Sequence, residues 1–407
     1  MAIRFAAVAL TLAACSGASD MRSEATIDFL APSKADEGCL ALPLSPAADT
    51  EPSVTTLLTT ARTGVRIDVQ IGITYSEDPT AITQLVAYDG EREIARSGQR
   101  IEPTVTFALE PGAHALRFEV ENFAQRSLFG CYSLSPKLSL HDPSDHDRDG
   151  IADELESTLA ASFAPQLRFH PREEFLPAPV EYFLERSTMR YSKRWVTDAE
   201  VVPLGGVHQL NLNTQTYDGD VSNASDKFFL HAPEDAARRG SDPEGWRAYV
   251  HAKPASGSGI DIQYWVFFPY NNGINKHEGD WEHVTISTDE YGLLRSAWYA
   301  QHNGGEVLDE DELQYVDGTH PIAYSALGSH ASYPGTGVHS DLDITGDGVQ
   351  WDTWGALVNV GEATSTTASD TLNGQQFVQF AGRWGKGREQ GMAGPRGPAF
   401  QPAWNTR

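Results

Sequence analysis

Strict period-two hydrophobicity marks the first third of this 407-residue chain. Val65, Ile67, Val69, Ile71 and Ile73 alternate with Arg66, Asp68, Gln70 and Gly72. Leu116, Phe118 and Val120 repeat the pattern. Successive strand side chains point to opposite faces, so this alternation predicts half-buried strands. Turn signals at Asp89-Gly90 and Glu110-Pro111-Gly112 separate them. A segment of about 100 residues built this way is most simply a β-sandwich. We place a small one at 38–140. The fold class expected for the whole chain is mainly β: this sandwich, then a calcium loop with a short helix, then a larger C-terminal β-sandwich. The length is too great for one ordinary core and suggests two domains or three.

Charge narrows the partners. The chain carries 30 basic and 56 acidic side chains, a formal net charge of −26. Nucleic acid is disfavoured, because phosphate contacts need clustered Lys and Arg. Electrostatic docking on anionic lipid is disfavoured too. Hydrophobic residues make up 40% of the chain, and 9 Trp are among them. That supplies real cores and excludes wholesale disorder.

The three cysteines are informative by position. Met1-Ala2-Ile3-Arg4 is followed by an apolar run from Phe5 to Ala14 and then Cys15. A basic start with a short apolar run reads as a secretory signal, too short to span a bilayer. Leu12-Ala13-Ala14-Cys15 resembles a bacterial lipobox. The resemblance implies a signal peptide at 1–14, cleavage before Cys15 and lipidation of that cysteine. Stable anchoring needs more than one acyl chain. No acidic retention signal follows at Ser16, which favours an outer-membrane lipoprotein of the cell envelope. An ordinary signal with a chance cysteine is the alternative. Residues 15–37 read as a small, polar tether. Cys39 and Cys131 then remain, and an exported chain most simply pairs them, with two free thiols as the alternative.

Residues 141–163 read as a calcium loop and helix. Asp145, Asp147 and Asp149 sit at positions 1, 3 and 5 of a twelve-residue loop, Gly150 at 6, the Ile151 carbonyl at 7, Asp153 at 9 and Glu156 at 12. Alternate carboxylates on a tight loop converge on one point, and a glutamate at position 12 returns from the first helical turn to bind the ion. The helix is expected from Ala152 to Phe163, ended by Ala164-Pro165. Asp142-Pro143-Ser144 precedes the loop where an entering helix would be. It therefore resembles the EF-hand-like loops of exported bacterial proteins. The expected role is structural, with Ca²⁺ affinity in the weak extracellular range of roughly 10⁻⁴–10⁻³ M. A solvated acidic linker is the alternative.

Beyond Pro165 the chain is aromatic-rich and strand-like. Ile260, Ile262, Tyr264, Val266 and Phe268 fall on one strand face. Asp261, Gln263, Trp265 and Phe267 fall on the other, which looks suited to lining a site. Val284 and Ile286 start another strand. Between them, His277-Glu278-Gly279-Asp280-Trp281-Glu282-His283 packs five potential metal ligands into seven residues. On a strand, Asp280 and Glu282 share a face, and His277 can fold over from the loop. His277, Asp280 and Glu282 would suit a second divalent ion, Ca²⁺ or Mg²⁺ among them. Salt-bridged strand carboxylates beside a core Trp281 are the alternative. Asp341, Asp343 and Asp347 form a weaker acidic loop that reads better as a surface turn. The run Glu306, Asp309, Glu310, Asp311 and Glu312 reads as solvated surface.

Several motifs in order resemble the vacuolar protein sorting-associated protein 62 family. They are Ala164-Pro165, Phe169-His170-Pro171 with Glu174-Phe175-Leu176-Pro177, Gln263 to Asn271, Gly279-Asp280-Trp281-Glu282-His283, Ala323 to Pro334, Gly382-Arg383-Trp384-Gly385 and Gly394-Pro395-Arg396-Gly397-Pro398. The domain implied is 164–407, and no firm activity comes with the family. Residues 276–282 are distantly similar to the hallmark of the necrosis- and ethylene-inducing-like cytolysins, as are His302-Asn303-Gly304-Gly305 and Gly318-Thr319-His320-Pro321. That resemblance implies metal ligation by His277, Asp280 and Glu282 and binding of sphingolipid sugars. The hallmark's second histidine is replaced by Gly279, and an upstream acidic ligand has no counterpart.

Three functions are expected in order. The first is a lipid-anchored binding module holding a glycan or glycolipid through a divalent ion. The second is a metal-dependent hydrolase with His283, His302 or His330 as general base. The third is a structural or adhesive protein. The enzyme question stays open.

Overall fold

The computed structural model describes residues 24–28, 36–42, 52–63, 66–75, 81–124, 127–139, 145, 150–193, 197–302, 304–339, 342–360, 375–386 and 394–406. The signal segment 1–14, Cys15, Asp147, Asp149 and Asp341 lie outside the described residues. Among the described residues no helix is long and apolar enough to cross a membrane. The chain is mainly β and divides into two compact units, one ending near Pro136 and one running from Lys137 to the end.

The N-terminal unit holds a five-stranded and a four-stranded sheet. The first runs Glu24–Asp28, Ser53–Thr63, Gly112–Asn122, Thr83–Asp89, Arg92–Arg96. The second runs Asp36–Leu42, Leu128–Leu138, Ile67–Tyr75, Thr104–Leu109. The predicted alternation is the observed burial: Ile67, Val69, Ile71 and Ile73 are inside, as are Leu116, Phe118 and Val120. A disulfide joins Cys39 to Cys131, which face one another in register on adjacent strands.

One boundary is corrected. Glu24–Asp28, assigned above to the tether, forms a strand parallel to Ser53–Thr63. The outer edge of that strand offers a row of backbone groups, and a segment with β-branched Thr26 and Ile27 can complete the row.

In the C-terminal unit a helix spans Asp153–Phe163, within a residue of the expected Ala152 to Phe163, with Leu155, Leu159 and Ala160 buried. A six-stranded sheet follows in the order Gly304–Asp309, Leu294–Gln301, His277–Thr288, Ile260–Asn271, Ala248–Pro254, Leu357–Asn359. A second sheet runs Tyr315–Val316, His320–Ser325, Gln166–Phe169, Gln350–Asp352, with Ser332–Tyr333 paired to His320–Ser325. A third runs Thr197–Val202, Thr188–Lys193, Phe228–His231.

Ile260–Asn271 is buried along nearly its whole length, so it is covered on both faces. Trp265, Phe267 and Trp281 join Met189, Tyr191, Phe228 and Trp384 in one apolar core. Tyr264, Val266 and Phe268 turn the other way, towards Leu167, Ser325 and Ser332 of the second sheet. The face of Asp261, Gln263, Trp265 and Phe267 was expected to line a site. Instead it is largely core, because its indole and phenyl rings bury more apolar area than any other choice at those positions.

Candidate functional site

The His277–Thr288 strand pairs with Ile260–Asn271 so that Phe268 faces Asp280, Val266 faces Glu282 and Tyr264 faces Val284. Asp280 and Glu282 therefore share a face, as their spacing predicted. Trp281 and His283 take the opposite one. Gly279 shapes the start of this strand. Its φ is +67, and a Cβ there would run into the Trp384 carbonyl oxygen. Only glycine combines that dihedral with that approach.

A small cavity lies on the Asp280 face. Its walls include Leu167, Tyr264, Val266, Phe268, Glu282, Ser325, His330 and Ser332. Asp280 is buried, and its Oδ2 accepts hydrogen bonds from Asn271 Nδ2 and His330 Nδ1, each at 2.9 Å. Asn271 Nδ2 also donates to the Ser329 carbonyl at 3.1 Å. Ser329 Oγ in turn donates to Asp343 Oδ1 at 2.6 Å. Asp343 Oδ2 receives Tyr333 OH and His302 Nε2, both at 2.9 Å. On the far side of His330, Glu173 lies 3.8 Å from Nε2 and accepts the Gly328 N–H at 2.6 Å.

The electrostatics separate these carboxyls. Burial, then the neighbouring charges of Asp280 and Asp343, push Glu282 well above the usual carboxylate range. Among the described residues no side chain hydrogen-bonds its carboxyl group. Burial alone would raise Asp343, but hydrogen bonds from His302, Ser329 and Tyr333 hold it below its ordinary value. Glu173 is also held low despite its burial, chiefly by His330. Burial would lower His330, yet its hydrogen bond to Asp280 and the nearby charge of Glu173 raise it to about 9. Its ring stacks on Phe268 at 3.9 Å.

Backbone strain gathers here as well. Six non-glycine residues among those described have positive φ, and His302, His330 and Leu342 are three of them. Such conformations persist where surrounding structure over-determines them, and they cluster at functional sites.

The sequence candidates divide accordingly. Asp280, Glu282, His302 and His330 are brought together. His283 also borders the cavity, but its ring stacks on Trp265 at 4.0 Å, and burial drives it down to about 3. His277 does not fold over; it opens the strand opposite Asn271, with Nδ1 at 2.7 Å from the Gly279 carbonyl oxygen. Glu278, its neighbour, is a buried lock held by His231 at 3.0 Å and Arg238 at 2.8 Å. Asp343 was expected in a surface turn, but it is buried in the site. Glu173, Asn271, Ser329 and Tyr333 were not singled out as site residues. They lie within or beside the ordered motifs, which is the one signal that marked them.

In the loop expected to bind calcium, Asp145 Oδ2 accepts the Gly150 N–H at 3.1 Å. Glu156 is buried, and its Oε1 accepts the Ala252 N–H at 3.3 Å. The Ile151 and Asp153 positions lead into the helix as expected.

A cation's fit can be judged from these donors. Carboxylate oxygens at Asp280, Glu282 and Asp343 are hard ligands of the kind Ca²⁺ and Mg²⁺ prefer. Among the described residues no three His, Cys, Asp or Glu side chains are drawn closely enough to form a metal-holding group. The oxygens suit the ion; His277 does not join them.

Comparison with known proteins follows this geometry. A model of the vacuolar protein sorting-associated protein 62 family matches residues 153–387. The chain is 26% identical over 273 residues to vacuolar protein sorting-associated protein 62 of Saccharomyces cerevisiae, covering 54% of this chain and 58% of the yeast protein. It thus spans little more than half of that relative's length. Among solved structures, NLPPya in complex with glucosamine aligns at 18% identity and a TM-score of 0.30, over 54% of this chain and 79% of the other. The pre-peptidase C-terminal domain of a Bacillus anthracis collagenase aligns at 11% identity and a TM-score of 0.21, over 29% of this chain and all of that domain. The family match extends over more than half of the sequence and contains the Asp280–Glu282 strand, so the chain belongs to the vacuolar protein sorting-associated protein 62 family.

Proposed function

We propose that the C-terminal unit is a binding module that holds a polar ligand, a glycan or the head of a glycolipid, through a divalent cation at Asp280, Glu282 and Asp343. One observation carries the reading. Glu282 lines the cavity, no side chain among the described residues hydrogen-bonds its carboxyl group, and burial with the charges of Asp280 and Asp343 disfavours its charged form. A divalent ion beside Glu282 would favour its charged form. It would supply a positive centre for sugar hydroxyls, and Asp280 and Asp343 would be oriented for it by Asn271, Ser329 and Tyr333. Calorimetric titration of Ca²⁺ and Mg²⁺ tests this: Glu282→Gln should lose one site, and retention of every site would refute it.

The remainder of the proposal concerns placement. The loop 145–156 takes a structural Ca²⁺, supported by the spacing of Asp145, Asp147, Asp149, Asp153 and Glu156. Cys15 carries a lipid that holds the chain in the cell envelope, at the outer membrane. Chelation with EDTA should lower the melting temperature, and Asp145→Ala should mimic it; no change in either would overturn the calcium assignment. Mass spectrometry of the membrane fraction would show acyl chains on Cys15, and an unmodified cysteine would overturn the anchor.

A metal-dependent hydrolase is the second reading. The pairing of His302 with Asp343 favours it, since an aspartate orients a histidine for proton transfer. His330 suits that role poorly, as it is held protonated.

A further inference from the structure

Among the described residues four large apolar side chains stand more than two-thirds in solvent: Leu210 at 72%, Ile274 at 71%, Val338 at 75% and Leu342 at 77%. The last three share one place. The Asn272 N–H donates to the Gly328 carbonyl at 2.8 Å, and a Cβ on Gly273 would meet Ser329, so the turn carrying Ile274 lies on residues 328–329. Ser329 Oγ donates to Asp343, the neighbour of Leu342. The Asp343 carbonyl accepts the His339 N–H at 2.8 Å, and Val338 pairs with Ile344. Asn271 ties the same segments to Asp280 through its bonds to that carboxylate and to the Ser329 carbonyl. Three exposed apolar tips thus stand beside the polar cluster at one end of the unit.

Backbone, charge and area say what covers them. Leu342 has a φ of +66, a region that a bulky side chain rarely enters. Strained backbone of this kind concentrates at ligand clamps, and here it holds a leucine out in water. The segments 272–276 and 335–339 contain no carboxylate, in a chain that carries 56. Lipid phosphate would repel carboxylates at that position. Three separate aliphatic tips also fall well short of the ~800 Å² that each partner of a stable protein complex buries. A bilayer needs no matched surface: its hold grows with the apolar area that enters the boundary between headgroups and acyl chains.

We propose that Ile274, Val338 and Leu342 insert into the surface of a zwitterionic lipid bilayer, so that the ligand held beside Asp280 is the head of a membrane lipid rather than a free sugar. The identity of that ligand rests on the functional reading above; the insertion does not. The net charge of −26 keeps the docking apolar, because anionic lipid would repel so acidic a chain.

Environment-sensitive labels test this on the full chain. Ile274→Cys, Val338→Cys and Leu342→Cys are made singly with Cys15→Ser; Cys39 and Cys131 are joined, so the new thiol alone takes a nitrobenzoxadiazole label. Leu210→Cys, equally exposed but on the Gln209–Leu212 helix, is the control. The apolar run Phe5–Ala14 is common to all four and cannot distinguish them. With phosphatidylcholine vesicles and no added divalent ion, emission from labels at 274, 338 and 342 should move to shorter wavelength and resist quenching by iodide. The label at 210 should stay as in buffer. No shift at the three positions, or an equal shift at 210, overturns the proposal. A shift that appears on concentrating the chain without vesicles overturns it in favour of a second copy as the occupant. The calorimetry of Glu282→Gln fails independently: if that variant keeps every cation site while the labels still shift, the insertion stands and the functional reading falls.

Discussion

Gly279→Ala is the perturbation that joins backbone to site most directly. Alanine at a φ of +67 costs about 1–2 kcal/mol in the dihedral alone. Its Cβ also meets the Trp384 carbonyl, a backbone atom that cannot rotate away. Overpacking of that kind costs about 1–3 kcal/mol more. The sum is about 2–5 kcal/mol, which for a domain of this size lowers the melting temperature by about 4–20 °C. Two controls separate the terms. Gly219 has a φ of +83 with open space around it, so Gly219→Ala isolates the dihedral cost. Gly257 has open space and no such φ, so Gly257→Ala should be nearly silent. Calorimetric melting of the three variants checks the order, Gly279 worst and Gly257 least. If Gly279→Ala melted with Gly257→Ala, the strand start would be tolerant, and the account of how Asp280 is aimed would be wrong.

Further expectations concern the two units separately. The Cys39–Cys131 bridge closes a separation of 92 residues, so replacing both with serine should destabilise the N-terminal unit by about 4–5 kcal/mol in the chain-entropy model. Denaturant unfolding measures it, and a loss below 1 kcal/mol would contradict the model. His251 is pushed down to about 4, first by burial, against the hydrogen bond its Nδ1 donates to Gln263 Oε1, with Lys253 adding to the lowering. Its folded value lies below its unfolded one, so the stability it allows is complete above about pH 6.5 and falls as pH drops towards 4. Urea midpoints of His251→Gln between pH 7 and 4.5 should decline less than those of the unaltered chain. An equal decline would show that His251 does not titrate on unfolding.

Much of the fold was legible because burial on one face leaves a period. The alternation at Ile67–Ile73 and Leu116–Val120 became strands with those residues inside. The stop of the Asp153–Phe163 helix followed from Ala164-Pro165. Ile260–Asn271 was harder, since a strand covered on both faces has no polar side to reveal its orientation. The shared face of Asp280 and Glu282 followed from spacing alone. Their partners did not. Glu173, His330 and Asp343 come from loops far apart in sequence, and loop geometry carries no periodic signature. His277 makes a local contact that spacing did not reveal: its Nδ1 lies 2.7 Å from the Gly279 carbonyl oxygen.

Cation dependence of glycan recognition can be read from retention on immobilised sugars. The chain would be applied to immobilised glycans and glycolipids with Ca²⁺, with Mg²⁺ and with EDTA, beside Asp280→Asn shown by circular dichroism to be folded. The account predicts retention on a defined sugar class that is lost both with EDTA and in the variant. Retention indifferent to chelator and to Asp280→Asn, or no retention under any ion, would contradict it.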